Sequence, residues 1–196
     1  LVTKYTLAES AARIEIEILK RTMGKQDHYA AAYGDLNVLT FHANENVTVE
    51  PVFYSSEVHQ KIASNLLLFY TTKKRNASEI LKVQDQVTPN KLSVLRQMKN
   101  LVEPLREVIL SGENLHQVGE ILHENWELKR SLTDLTSSKE IDKYYLKALR
   151  AGAIGGKLLG AGGGGFLVFY VEPDKHRSVI NALSSLYHLK FRFDTS

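Results

Sequence analysis

The first fifty residues carry one amphipathic helix pattern followed by a second helix and two strand patterns. Apolar residues recur at helical spacing in TLAESAARIEIEILK, where four of them share one stripe. These are Leu7, Ala11, Ile14 and Ile18. The segment DHYAAAYG predicts a short helix that ends at Gly34. The β-rich segments LNVLTFH and NVTVEPV, joined by ANE, predict a hairpin.

The remainder of the chain alternates between strands and a long helical region. YSSEVHQKIAS predicts a short polar helix or loop, and NLLLFYTT predicts a buried strand. Helical spacing then runs from ASEILKVQ to KALRAG, interrupted at Pro89, at Gly112 and at the polar turn TDLTSS. Strand GFLVFYV, a helix that starts at Pro173 and strand LKFRF follow. This order predicts an α+β fold, in which helices pack on one face of an antiparallel sheet.

Composition narrows the class of protein. The chain has 196 residues, of which 43% are hydrophobic and 24% charged, as in a globular protein with one core or two small ones. Its net charge of +3 is spread along the chain, which indicates no nucleic-acid partner. Without cysteine it has no disulfides or thiolate metal sites. Because no apolar run approaches about 20 residues, we expect no membrane partner and a cytoplasmic location.

The most unusual segment is GKLLGAGGGGFLVFY, which places five glycines within six positions before a strand. Each glycine inside regular structure costs about 0.5–1 kcal/mol relative to alanine, so the cluster needs a reason. Glycines permit a tight turn with positive φ angles. They also let backbone N–H groups approach an anion closely. Both interpretations, a structural turn and a phosphate contact, remain open from composition alone.

A second segment with chemical character is MGKQDHYAAAYGD, where polar residues stand at the entry of an apolar helix. Asp27 is the residue of interest. It is either an N-cap that accepts a hydrogen bond from the helix backbone, or a general base that orients a hydroxyl beside a phosphate.

These two segments together resemble one known family. GKQDHYAAAYGDLNVLTF and GGKLLGAGGGGFLVFY are similar to the second half of GHMP-type small-molecule kinases, and within that family most similar to the heptose 7-phosphate kinases. The similarity extends over nearly the whole chain. It implies that residues 1–60 are the remainder of an N-terminal domain. Residues 61–196 would form a ferredoxin-like C-terminal domain, an antiparallel sheet with helices.

The resemblance assigns roles to individual residues. It implies that Asp27 is the catalytic base or orienter, followed by His28 where the family usually has glutamine. It also implies that Glu15 holds magnesium, whereas Glu17, two residues away, points to another helix face. The family's nucleotide loop corresponds to five consecutive residues. They are Gly160, Ala161, Gly162, Gly163 and Gly164.

A substrate that carries its own phosphate needs cations. Arg75, Lys129 and Lys157 are the candidate substrate-binding residues, with Arg130 beside them, and Lys157 is favoured because it adjoins the glycines. The alternative for each is a solvated surface position.

The resemblance implies an enzyme that transfers the γ-phosphoryl group of Mg²⁺·ATP to the anomeric hydroxyl of D-glycero-D-manno-heptose 7-phosphate. Alternatives are a kinase for a fucose- or galactose-type sugar, or a non-catalytic binding module of the same fold. The family's principal ATP loop, of the type P-x-x-x-G-L-G-S-S-A, precedes the region where this chain begins. The resemblance therefore implies a fragment that is inactive on its own.

Overall fold

A computed structural model describes residues 1–72 and 77–191, which divide into two compact units. The first unit comprises residues 1–53, and the second comprises the described residues from 54 to 191. The assignment of residues 1–60 and 61–196 to two family domains stays a prediction. Within the described ranges, none of the helices has the length and apolar character needed to cross a bilayer.

The first unit packs two helices beside a hairpin. Its elements are α1 (Lys4–Arg13), a π-helical turn (Ile14–Ile18), α2 (Gln26–Tyr33), β1 (Asn37–Phe41) and β2 (Val47–Pro51). The two strands are antiparallel, with Leu39 opposite Val49, which confirms the predicted hairpin. Gly34 ends α2 with φ 68°, in the left-handed region that favours glycine, as predicted.

The buried face of α1 differs from the predicted stripe. Ala8 and Ala12 are buried, whereas Leu7, Ile14 and Ile18 are exposed. The physical reason is the fully buried ring of Tyr29 from α2, which clusters with Ala8 and Val47. Small side chains let the two helices approach closely around that ring. A prediction based on hydrophobicity alone therefore places the wrong face of α1 against the core.

The second unit contains a sheet and a larger set of helices. The helices are α3 (Ser56–Asn65), α4 (Ala77–Val87), α5 (Leu92–Asn100), α6 (Val102–Ser111), α7 (Gln117–Arg130), α8 (Lys139–Arg150) and α9 (His176–Ala182). The strands are β3 (Leu66–Tyr70), β4 (Ala153–Leu158), β5 (Phe166–Val171) and β6 (Tyr187–Leu189). Short 3₁₀ turns lie at Thr88–Asn90 and Pro173–Lys175.

The sheet has the order β4-β5-β3-β6 with antiparallel pairing between neighbours. One strand, helices, two strands, a helix and a last strand in this order form the ferredoxin-like arrangement. The predicted α+β fold is therefore confirmed. The final strand lies at Tyr187–Leu189 rather than in LKFRF, whose last residues fall outside the described ranges.

The predicted interruptions of the helical region fall at helix ends. Pro89 lies in the 3₁₀ turn before α5, and Gly112 caps α6 with φ 68°. An additional break at Leu101 separates α5 from α6, and Pro104 stands in the first turn of α6, where a proline is tolerated.

The core of this unit lies between the sheet and helices α7, α8 and α9, with Trp126, Tyr145 and Phe169 fully buried. Strand β4, which the sequence pattern missed, approaches α7 closely. A Cβ on Gly155 would lie 2.0 Å from the carbonyl oxygen of Gly119, a distance that real side chains do not adopt. Glycine at residue 155 is thus required by helix–strand packing, although it weakens strand propensity.

Candidate functional site

The glycine-rich segment forms the connection between β4 and β5. The N–H of Leu159 donates to the carbonyl of Phe166 at 2.8 Å, and that of Gly165 donates to Oγ1 of Thr71 at 3.1 Å. Four of its glycines have positive φ angles that side chains rarely adopt. They are Gly160 (74°), Gly162 (117°), Gly163 (73°) and Gly165 (102°). The segment is an ordered turn whose backbone requires glycine.

Most backbone N–H groups of this loop are unpaired among the described residues. The N–H of Gly163 donates to the carbonyl of Thr136 at 2.9 Å. Within residues 1–72 and 77–191, the other four predicted nucleotide-binding N–H groups donate no hydrogen bond. These belong to Gly160, Ala161, Gly162 and Gly164. A run of unpaired N–H groups with little side chain around it is suited to an anion such as a phosphate.

Two carbonyl oxygens of the loop accept hydrogen bonds from side chains on neighbouring helices. Nζ of Lys129, at the end of α7, donates to the carbonyl oxygen of Gly160. Nε2 of Gln84, on α4, donates to the carbonyl oxygen of Ala161 at 3.3 Å. Lys129 therefore brings a positive charge to the loop, and its role in binding phosphate stays a prediction.

Lys157 lies on β4, three residues before Gly160, and its ammonium donates to Oδ1 of Asn125 on α7 at 2.6 Å. Burial lowers the pKa of Lys157 below its usual value, because desolvation penalises the charged form. Asn125 and Lys129 are one helical turn apart, so the two predicted lysines approach the same side of α7.

The other two basic candidates are placed differently. Arg130 is paired with Glu127 at 2.8 Å and with Asp142 at 3.2 Å, so its charge is compensated by α7 and α8. Arg75 lies outside the described residues.

Asp27 is the second residue of α2, and the N-cap position belongs to Lys25 without a side-chain capping bond. The interpretation of Asp27 as an N-cap is therefore wrong. The side chain is exposed, and its carboxylate has no hydrogen bond or ion pair to any residue that the structure describes. It is available to accept from a ligand.

Asp27, Glu15 and His28 line one cavity of about 270 Å³, whose remaining walls are apolar. The walls come from Leu7, Ala11, Ala31 and Ala32. Oε2 of Glu15 lies 3.0 Å from Nε2 of His28, and Oε1 accepts from Arg21 at 2.6 Å. Glu17 instead lines a different cavity of about 480 Å³ with Glu9 and Lys25, so the two glutamates face different surroundings, as predicted.

Within the described ranges, no three His, Asp or Glu side chains come together as a complete cage for a metal ion. Mg²⁺ usually needs only one or two carboxylates, with phosphate oxygens supplying further ligands. Glu15 fits this requirement once Arg21 leaves, because Arg21 is 57% exposed and such surface pairs contribute only about 0–1 kcal/mol.

Comparison with known proteins places this arrangement in a family. Residues 98–189 match the family model described as GHMP kinases C terminal. The chain is also 30% identical over 185 residues to D-glycero-alpha-D-manno-heptose 7-phosphate kinase of Campylobacter jejuni, covering 92% of this chain and 53% of that protein. Residues 98–189 therefore belong to the C-terminal domain of GHMP kinases.

Two further relatives of this chain are informative. A galactokinase of Pyrococcus furiosus is 25% identical over 211 residues, covering 92% of the chain and 57% of the relative. The crystal structure of a D-glycero-D-manno-heptose 1-phosphate kinase from Bacteroides thetaiotaomicron aligns with a TM-score of 0.66 and 27% identity, covering 98% and 53%. The chain therefore spans about half the length of the relatives it matches.

Sequence reasoning missed the residues that anchor the loop. Gln84, Thr136 and Asn125 contact the loop or its lysine only after folding, and Gln84 precedes Ala161 by 77 residues. No spacing rule connects such distant positions.

Proposed function

We propose that this chain is part of an ATP-dependent sugar kinase whose acceptor is the anomeric hydroxyl of D-glycero-D-manno-heptose 7-phosphate. The observation that carries the proposal is the loop after β4. Four of its N–H groups have no hydrogen-bond partner among the described residues, and the ammonium of Lys129 bonds to the carbonyl oxygen of Gly160 in the same loop; the unpaired donors and the nearby positive charge both favour a phosphate chain. The match of residues 98–189 to the C-terminal domain of GHMP kinases and the similarity to a heptose 7-phosphate kinase support the same conclusion.

In this proposal the loop residues Gly160, Ala161, Gly162 and Gly164 donate to the phosphates of ATP, and Gly163 supports the turn. The N–H of Gly163 already donates to the carbonyl oxygen of Thr136. Magnesium, when bound with the nucleotide, neutralises charge on the transferred group, and Glu15 is the carboxylate that would hold it.

Asp27 serves as the general base or orienter. Its exposed carboxylate has no partner among the described residues, so it can accept the proton of a sugar hydroxyl as that oxygen attacks the γ-phosphorus. Glu15 is less suited to this step because Arg21 and His28 already engage both of its oxygens.

The phosphate of the acceptor needs a cation, and Lys157 is the candidate that the geometry favours. It is held by the neutral side chain of Asn125 rather than by a carboxylate, so its charge is not cancelled. Arg75 stays a prediction for the same role, and so does the cytoplasmic location.

A kinase for an unphosphorylated sugar is the second candidate. It is favoured by the similarity to a galactokinase and by the pairing of Arg130 with two carboxylates, which leaves fewer cations for an acceptor phosphate.

Phosphorus NMR of a reaction mixture tests the proposal. The complete gene product that carries this sequence is incubated with Mg²⁺·ATP and D-glycero-D-manno-heptose 7-phosphate. We expect ADP together with a new anomeric phosphate ester coupled to the sugar H1. Formation of ADP without a new ester, or no reaction with any sugar offered, would contradict it.

A further inference from the structure

The glycine-rich loop is held by side chains and backbone from elements distant in sequence. Nε2 of Gln84 lies 3.3 Å from the carbonyl oxygen of Ala161 and 3.5 Å from Oγ1 of Thr136. Thr136 is fully buried, and its carbonyl oxygen accepts the N–H of Gly163 at 2.9 Å. Gln84 thus joins α4 both to the loop and to the turn on which the loop rests.

The space beneath the loop is filled. A Cβ on Gly162 would lie 2.7 Å from the carbonyl oxygen of Thr136 and 3.0 Å from its Cα. The loop therefore lies directly on the backbone of the turn before α8, with no room for a side chain between them. Contacts at residues 161, 162 and 163 together fix the orientation of the peptide groups in this part of the loop.

We propose that Gln84 is a positioning residue that holds the glycine-rich loop, before any ligand binds, with its unpaired N–H groups presented to the nucleotide. This inference rests on the proposed function for its ligand and on the contacts above for its geometry. A segment with five glycines in six residues has much conformational freedom to lose on ordering. Anchoring the loop in advance removes that cost from nucleotide binding, which is the general benefit of preorganisation.

The bond from Gln84 to the Ala161 carbonyl also explains why the N–H of Gly162 stays available to a ligand. An amide that donates to a loop carbonyl turns that peptide's oxygen toward α4. Because the two ends of a peptide group point in opposite directions, the N–H of Gly162, in the same peptide, is turned away from α4. Losing Gln84 releases this peptide and leaves the fold of the sheet unaffected.

The experiment compares Gln84→Ala and Gln84→Glu with Gln86→Ala and Gln86→Glu. Gln86 is the same residue type on the same helix, is exposed and contacts no loop residue in the described ranges, so it is a matched control. Gln84→Glu keeps the shape but replaces the donor with a carboxylate oxygen that repels the Ala161 carbonyl. Amide hydrogen exchange of residues 160–164 is measured without nucleotide on each variant of the complete gene product. The KM for ATP and the Kd of Mg²⁺·ADP are measured on the same proteins.

We expect the amide of Gly163 to be protected in the parent protein and to exchange at least about fivefold faster in both Gln84 variants, as for the loss of one hydrogen bond. KM for ATP and Kd for Mg²⁺·ADP should rise about fivefold, while the KM for the sugar and the melting temperature stay near those of the Gln86 controls. Equal exchange rates and equal KM values in the Gln84 and Gln86 variants would overturn the inference. Faster exchange in the Gln84 variants, in a protein that binds no nucleotide at all, would support the holding role and contradict the proposed function instead.

Discussion

Nε2 of His28 lies 3.0 Å from Oε2 of Glu15, and the His28 side chain is only 7% exposed. An ionised carboxylate only accepts hydrogen bonds, so Nε2 carries the hydrogen in this pair. The second ring nitrogen, Nδ1, is buried and has no partner among the residues that the structure describes. The bond orients Glu15 within the cavity that also contains Asp27.

The first prediction concerns this bond. His28→Gln retains a donor near the same place and should leave the Mg²⁺ concentration for half-maximal activity within about twofold. His28→Leu removes the donor, frees Glu15 to rotate and should raise that concentration about five- to tenfold, as for a lost charge-assisted hydrogen bond. Titrating activity with Mg²⁺ in both variants of the complete gene product measures the effect. Identical Mg²⁺ dependence in the two variants would show that the bond has no role in metal binding.

The second prediction concerns Asp27. Because the side chain does not cap α2, Asp27→Asn should change the melting temperature little. It should lower kcat by at least about 10²-fold if the carboxylate is the general base, since a positioned base is typically worth about 10²–10⁴ in rate. Steady-state kinetics and thermal unfolding of the same preparation separate the two effects. Near-normal kcat in Asp27→Asn would remove the catalytic role.

The third prediction concerns the pH dependence of stability through Lys157. Burial lowers its pKa in the folded state below the ordinary 10.5, so between the lowered pKa and about 10.5 the unfolded chain binds more protons. The Lys157 contribution to the free energy of unfolding therefore rises with pH in that window. Buried Tyr145, whose pKa is raised, contributes with the opposite sign above about pH 10. The contribution of Lys157 is therefore isolated by subtracting the free energy of unfolding of Lys157→Met from that of the parent protein at each pH.

We expect that difference to change with pH in the alkaline window and to be flat near neutrality, as measured by urea unfolding between pH 7 and pH 10. Lys147→Met is the control, because Lys147 is an exposed lysine on α8. A difference that is constant across the whole pH range would contradict the claim that burial lowers the pKa of Lys157.

The fourth prediction tests the contact between β4 and α7. Gly155→Ala places a Cβ against the Gly119 carbonyl and the Cβ of His123, and should destabilise the protein by about 1–3 kcal/mol or more. Gly24→Ala is the control, since a Cβ there meets nothing within 4 Å. It should change stability by less than about 1 kcal/mol. Equal melting temperatures for the two variants would show that the close approach is absent.

Much of the fold could be predicted because the relevant patterns are local. The hairpin Asn37–Phe41 and Val47–Pro51 follows from β-rich segments around a short turn, and the end of α2 follows from Gly34. Strand β4 could not be predicted, because Gly155 is there to admit α7 rather than to favour a strand. That reason exists only in the folded protein.

The candidate site could likewise be predicted in part from the sequence. The residues around Lys129 and Lys157 in the sequence predict a binding role for both, and both lie near the glycine-rich loop. The anchor Gln84 was not predicted, because an ordinary helix glutamine carries no signal of its partner. The N-cap interpretation of Asp27 fails because a cap position depends on where the helix begins: the cap of α2 is Lys25, two residues before Asp27.

The central claim, a kinase acting on a phosphorylated sugar, is tested most directly by the ratio of kcat/KM values for two acceptors. The complete gene product is assayed for ADP formation with D-glycero-D-manno-heptose 7-phosphate and with galactose under identical Mg²⁺·ATP conditions. A site built around a cation for the acceptor phosphate should prefer the phosphorylated sugar by at least about 10²-fold, because the unphosphorylated sugar leaves that cation unpaired. A kcat/KM for galactose equal to or above that for the heptose 7-phosphate would contradict the account.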